Sequence, residues 1–165
     1  MNTLSLRKSN INILIFFILS AFSLACPIIT HHLGFKGTEF LPIFFTLSLG
    51  SYILNPLLLI LLSVISPVLN YLFTKMPMPP VLYFLIFEGI IFSSAVCLLR
   101  KKNISFILIV LLAFILARLS SVILVFIFDI NINDWFNGII NGYKGIIVNF
   151  LLASIMYLIL KNNAL

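Results

Sequence analysis

Charge is scarce in this chain: Asp and Glu together number 4, and Lys and Arg 10, in 165 residues. Charged side chains make up 8%, whereas a water-soluble domain carries about a quarter. With 62% hydrophobic residues and a mean hydropathy of +1.25, the chain has too little polar surface to cover a fold in water. Lipid must cover the remainder. Cysteine is scarce too. Cys26 and Cys97 both fall inside apolar runs, with no Cys or His at metal-ligand spacing. That excludes a disulfide framework and a zinc site.

Catalytic signatures are missing as well. There is no glycine-rich phosphate loop ending in Gly-Lys-Ser or Gly-Lys-Thr, so the chain does not hydrolyse ATP alone. A Gly-x-Ser-x-Gly elbow and a His-Glu-x-x-His helix are also absent. Asp129 and Asp134 are too close together, in one polar segment, to be the paired carboxylates of an intramembrane aspartyl peptidase. No enzymatic activity, cofactor or metal is expected. The net charge of +6 does not point to nucleic acid either, because the basic residues stand at the ends of apolar runs.

What the chain does have is apolar runs of membrane-crossing length. They predict an all-α membrane protein, a single domain over 1–165 built as a six-transmembrane-helix bundle. The spans are about 11–29, 41–54, 56–74, 81–99, 104–128 and 142–160. Ser23-Leu24-Ala25-Cys26 is close to a lipoprotein cleavage box, but Ser23 stands where such boxes favour Leu and the apolar stretch runs on to Ile29, so the first helix is expected to be retained. Asn55-Pro56 reads as an N-cap followed by proline at the first helical position. Pro67 lies inside the third span and predicts a kink. Lys75-Met76-Pro77-Met78-Pro79-Pro80 is a stiff link, and the Asn-rich segment 129–141 carries Trp135, a residue of membrane interfaces. Arg7, Lys8, Arg100, Lys101, Lys102 and Lys161 fall on one side of this topology, and only Lys36, Lys75 and Lys144 on the other. By the positive-inside rule, both termini are cytoplasmic.

Charges inside lipid are expensive and therefore mark function. Glu88 lies about 12 Å below the outer end of span four and Arg118 about 15 Å below that of span five, so the two are expected to pair. Asp129 follows Arg118 by about three helical turns, which predicts a shared face. In span six Gly142, Gly145, Asn149 and Ala153 form a stripe of small and amide side chains along one side. Asn70 lies one turn below the outer end of span three. Together, Glu88, Arg118, Asn149 and Asn70 describe a cavity open to the outside. The plainer alternative is that they only fasten helices to one another. His31 and His32, in the polar link that ends at Glu39, are either ligand-binding or solvated surface.

Two stretches carry a family likeness: Gly37-Thr38-Glu39-Phe40-Leu41-Pro42-Ile43-Phe44-Phe45-Thr46, and Ser66-Pro67-Val68-Leu69-Asn70-Tyr71-Leu72-Phe73-Thr74-Lys75-Met76-Pro77, with Leu54-Asn55-Pro56 between them. In order and spacing the chain resembles the substrate-binding (S) components of energy-coupling factor (ECF) vitamin transporters, as do the positions of Glu88, Arg118, Gly145 and Asn149. The resemblance implies a multi-pass protein of the bacterial plasma membrane. It would capture a vitamin-like molecule outside and deliver it through a coupling subunit and two ATPases. It also implies a substrate site made of Glu88, Arg118, Asn149, Asn70, His32 and Glu39. An Ala-x-x-x-Ala docking motif on the first helix falls at Ala21 and Ala25, or one turn earlier at Phe17 and Ala21. Relatives often have Leu-Pro-Met-His-x-Pro at 41–46, and Gln and Pro where this chain has Asn149 and Ala153, so the solute is left open. A second resemblance, in length and span number, is to the small membrane scaffold of rod-shape cell-wall synthesis.

Overall fold

A computed structural model describes residues 3–34, 41–102 and 104–162. Among the described residues every regular element is a helix: α1 (Thr3–His32), α2 (Ile43–Ile53), α3 (Pro56–Thr74), α4 (Val81–Leu99), α5 (Phe106–Ser120), α6 (Val122–Ile127), α7 (Ile132–Asn141) and α8 (Tyr143–Asn162). Four stretches are long and apolar enough to cross a membrane: Asn10–His32, Pro56–Thr74, Val81–Leu99 and Phe106–Ile127. The last of these is α5 and α6 taken together. A fifth counts if α7 and α8, bent by 45° at their joint, act as one span.

The expected second span is the exception. Pro42 precedes it and Leu54-Asn55-Pro56 closes it, leaving an 11-residue helix about 16 Å long, roughly half the hydrocarbon thickness. Seven of its residues are buried: Ile43, Phe44, Thr46, Leu47, Ser48, Gly50 and Ser51. The reason is position. The long helices make a ring in the order α1, α3, α4, α5, α8, and α2 closes it between α8 and α1 while also touching α3 and α4. A helix surrounded by protein on most sides has its backbone satisfied internally and need not match the bilayer.

The two ends of the bundle are fixed by specific contacts. At one end Arg100 Nη1 donates to the Leu54 carbonyl at 3.1 Å, and Tyr52, Phe106 and Tyr157 form a cluster of rings from α2, α5 and α8. At the other, Tyr83 of α4 stacks on Phe128 just after α6, with centroids 5.4 Å apart. Asn55 caps α3 as expected, accepting from Leu58 N at 2.9 Å, with Pro56 as the first helical residue.

The outward faces are strongly apolar. Leu14, Phe17 and Ile18 of α1, Leu72 and Phe73 of α3, Leu116, Leu119 and Phe126 of α5 and α6, and Ile147, Leu151 and Ile155 of α8 are all exposed. The interior is also apolar, and small polar side chains are buried within it, among them Ser23, Thr46, Ser48, Ser63, Ser66, Ser93 and Ser121. An apolar exterior with small residues at the helix contacts matches helix packing in lipid, where small residues let backbones approach. α3 and α4 approach closely: a Cβ on Gly89 would stand 3.0 Å from Ser63 Cβ and 3.3 Å from its carbonyl oxygen. Ser93 Oγ, one turn along, donates to the Leu59 carbonyl at 3.3 Å.

Gly89→Val should therefore force α3 and α4 apart and lower stability by about 1–3 kcal/mol, the usual cost of overpacking. Thermal unfolding in detergent, followed by loss of monodispersity on size exclusion, measures this. An unchanged midpoint would mean that the crossing is looser than described.

Candidate functional site

Glu88 stands about 16 Å from the Leu99 end of α4, and Arg118 about 18 Å from the Phe106 end of α5, at 1.5 Å per residue. The N-terminal end of α2 reaches a similar height, about 15 Å above Ile53 by the same rise. Phe44 from α2 meets Phe92, one turn beyond Glu88, at 6.1 Å between centroids, and Phe114, one turn before Arg118, at 5.6 Å. Phe92 and Phe114 are 4.7 Å apart. Exposure of the three rings is 2% or less, so they form a sealed apolar floor on the Arg100 side of the charged pair.

Above that floor Arg118 Nη1 donates to Glu88 Oε1 at 3.1 Å and lies equally close, 3.1 Å, to Oε2. The expected pair is present, but it is one-armed: a single nitrogen straddles the carboxylate, in place of the two parallel bonds of a fork-to-fork pair. Glu88 is 2% exposed and Arg118 15%. Glu88 Oε2 and Arg118 Nη2 are both buried without a hydrogen-bond partner. Ser121, whose hydroxyl faces the same carboxylate, directs its proton to the Arg118 carbonyl at 2.7 Å and accepts from Trp135 Nε1 at 3.0 Å. Trp135 thus ties α7 to the helix break next to the pair. On the far side Gly142, at the joint of α7 and α8, packs close to the guanidinium: a Cβ there would lie 3.6 Å from Arg118 Nη2, in van der Waals contact, and 3.2 Å from the Gly138 carbonyl oxygen.

The other residues singled out from sequence separate into two groups. Asn149 is fully buried, accepting from Ser48 Oγ of α2 at 2.9 Å and donating to the Gly145 carbonyl at 2.7 Å. The stripe Gly142, Gly145, Asn149 and Ala153 is the buried line of α8, as its spacing predicts. Asn70 donates to the Ser23 carbonyl of α1 and the Ser66 carbonyl of its own helix, both at 2.9 Å. Its Oδ1 and the Ser66 hydroxyl are left without partners. Both asparagines therefore join helices directly. His32 is exposed in the last turn of α1, its ring edge-on to His31 at 6.5 Å. Glu39 lies outside the described residues. Ala21 is exposed on α1 and Ala25 half-buried. Asp129 does not share the face of Arg118: the helical run ends at Ile127, and Asp129 is an exposed residue at φ 51° beyond it. No cluster of three metal-ligating side chains occurs among the described residues.

Sequence reasoning missed three contributors: the aromatic floor, Ser121, and Trp135 as a bonded neighbour of the site. Phe44, Phe92 and Phe114 are unremarkable in a chain with 17 phenylalanines. The signal for Phe92 and Phe114 was positional, one turn from each intramembrane charge.

The chain matches no protein-family profile, no curated protein and no solved structure.

Arg118→Ala should cost about 3–5 kcal/mol, because it leaves Glu88 buried and uncompensated, whereas Glu88→Gln combined with Arg118→Met should recover much of that loss. Melting temperatures of the two variants in detergent compare them directly. A double variant no more stable than the single one would show that the pair is not coupled.

Proposed function

We propose that the chain is the membrane-embedded S component of an ECF-type importer, binding a vitamin-like solute on the extracellular side and handing it to a coupling subunit and two ATPases. In this reading it crosses the bacterial plasma membrane with both termini cytoplasmic. α2, the short helix, counts as one of six passes. The observation that carries the reading is the Glu88–Arg118 pair, buried in the bundle yet keeping one acceptor and one donor unmatched. A pair that only fastened two helices would use those atoms on each other. The resemblance over 37–46 and 66–77 supplies the family, and the exposed Ala21 on α1 is available for docking.

A rival reading, the non-transport scaffold of cell-wall synthesis, has one observation in its favour. Asn70 and Asn149, counted above among the substrate-site residues, spend their amide protons on helix–helix and intrahelical bonds. The outer half of the site therefore shrinks towards Glu88 and Arg118, but the pair itself stays unexplained by packing.

Affinity purification separates the two readings. Recovery of the coupling subunit and ATPases supports transport, while recovery of wall-synthesis proteins in their place removes it. With the transporter assembled, Arg118→Ala should abolish high-affinity solute uptake while the variant still inserts in the membrane. Fluorescent-protein fusions at the N and C termini should both fluoresce, and a dark fusion at either end would refute the topology.

A further inference from the structure

The unmatched atoms of the site define a ligand chemistry. Glu88 and Arg118 already cancel each other's charge, so an incoming group meets a neutral pair, not a lone guanidinium. It also meets one acceptor, Glu88 Oε2, and one donor, Arg118 Nη2, both buried and neither with a hydrogen-bond partner, although Oε2 stays within 3.1 Å of Nη1 in the ion pair. Their unpartnered state has a local cause. Nη1 occupies the carboxylate by itself at 3.1 Å from each oxygen, and the Ser121 proton is directed to the Arg118 carbonyl. Gly142 presents no side chain towards Nη2.

We propose that this site recognises a neutral group carrying a carbonyl oxygen and an N–H on one edge: a carboxamide, lactam, imide or ureido edge. The carbonyl accepts from Arg118 Nη2 and the N–H donates to Glu88 Oε2. The inference rests on the solute-binding reading above and narrows it. Other chemistries satisfy only half the site. A carboxylate or phosphate meets Nη2 but brings a second negative charge beside Glu88 and no proton for Oε2. An ammonium supplies protons to Oε2 but faces the guanidinium and leaves Nη2 unmatched. Only a neutral donor–acceptor edge matches both atoms without changing the net charge of a region that lipid surrounds. The floor of Phe44, Phe92 and Phe114 limits how deep such a group can sit.

The test uses the full chain in lipid nanodiscs with matched small molecules, read by thermal shift and equilibrium binding. Nicotinamide, biotin methyl ester and lumichrome present the amide-type edge. Nicotinate, lipoate and pyridoxal 5′-phosphate present anions without it. Stabilisation by a member of the first group is expected. Glu88→Gln should weaken that binding about tenfold or more, the cost of spoiling one buried hydrogen bond. Gly142→Val, which leaves both charges in place and adds methyl groups against Nη2, should abolish it, and this keeps the test intact if Glu88→Gln does not fold. Binding only by the anionic group, or an amide-edge ligand indifferent to both substitutions, overturns the inference while leaving solute binding standing. Binding by neither group overturns both.

Discussion

A charge placed inside an apolar bundle must be neutralised on the spot, and the Glu88–Arg118 contact is where this chain does so. Everything around it is arranged to that end. Two adjacent helices, α4 and α5, bring the partners to matching heights, and α2 ends near the same height. Three phenylalanines close the region on the Arg100 side. Trp135, through Ser121, ties down the other side. Away from this spot the interior is an apolar core set with buried hydroxyls that bond across helices, such as Ser48 to Asn149 and Ser93 to Leu59.

The short helix is what makes the arrangement possible. A helix of full length in the position of α2 would run on past the height of the ion pair. At about 16 Å, α2 supplies Phe44 to the floor and goes no farther. Its own polar residues, Thr46, Ser48 and Ser51, are buried but each donates a hydrogen bond, two of them to carbonyls of the same helix. The helix is therefore insulated from lipid by its neighbours and satisfied by its own side chains. That combination explains how so brief an element persists in the middle of a bundle whose outer helices are long.

How much of this was legible in the sequence depended on the kind of signal. Intramembrane charges stand out, so Glu88 and Arg118 were identified and their pairing foreseen from depth alone. The stripe on α8 was legible because three- and four-residue spacing fixes a face. Asn55-Pro56 marked a real helix start. Extrapolation to Asp129 failed, since hydropathy is continuous to Phe128 and gives no hint that the helical run ends at Ile127, two residues short of it. The segment 129–141, read as a polar link, holds a helix with Ile132, Trp135, Phe136, Ile139 and Ile140 on one side and Asn133, Asp134, Asn137 and Asn141 on the other. That period was present in the sequence but masked by the asparagines. Nothing local could reveal that α2 touches five other helices, because centrality is a property of the assembled ring.

The incomplete use of the ion pair bears on why it exists. Replacing a buried ion pair by apolar side chains of similar volume is often neutral or stabilising, so such pairs are poor candidates for holding a fold together. Here the fold has other means: the Gly89–Ser63 approach, the rings at each end, and the asparagine bonds from α3 to α1 and from α2 to α8. A pair kept only for cohesion would also engage both arms of the guanidinium, because each unmatched buried atom adds to the cost. Arg118 engages one, and the free nitrogen lies beside Gly142, the one position at the α7–α8 joint that has no side chain. Cohesion accounts for neither the charges nor the spare atoms, and this is the ground on which solute binding is proposed for the pair.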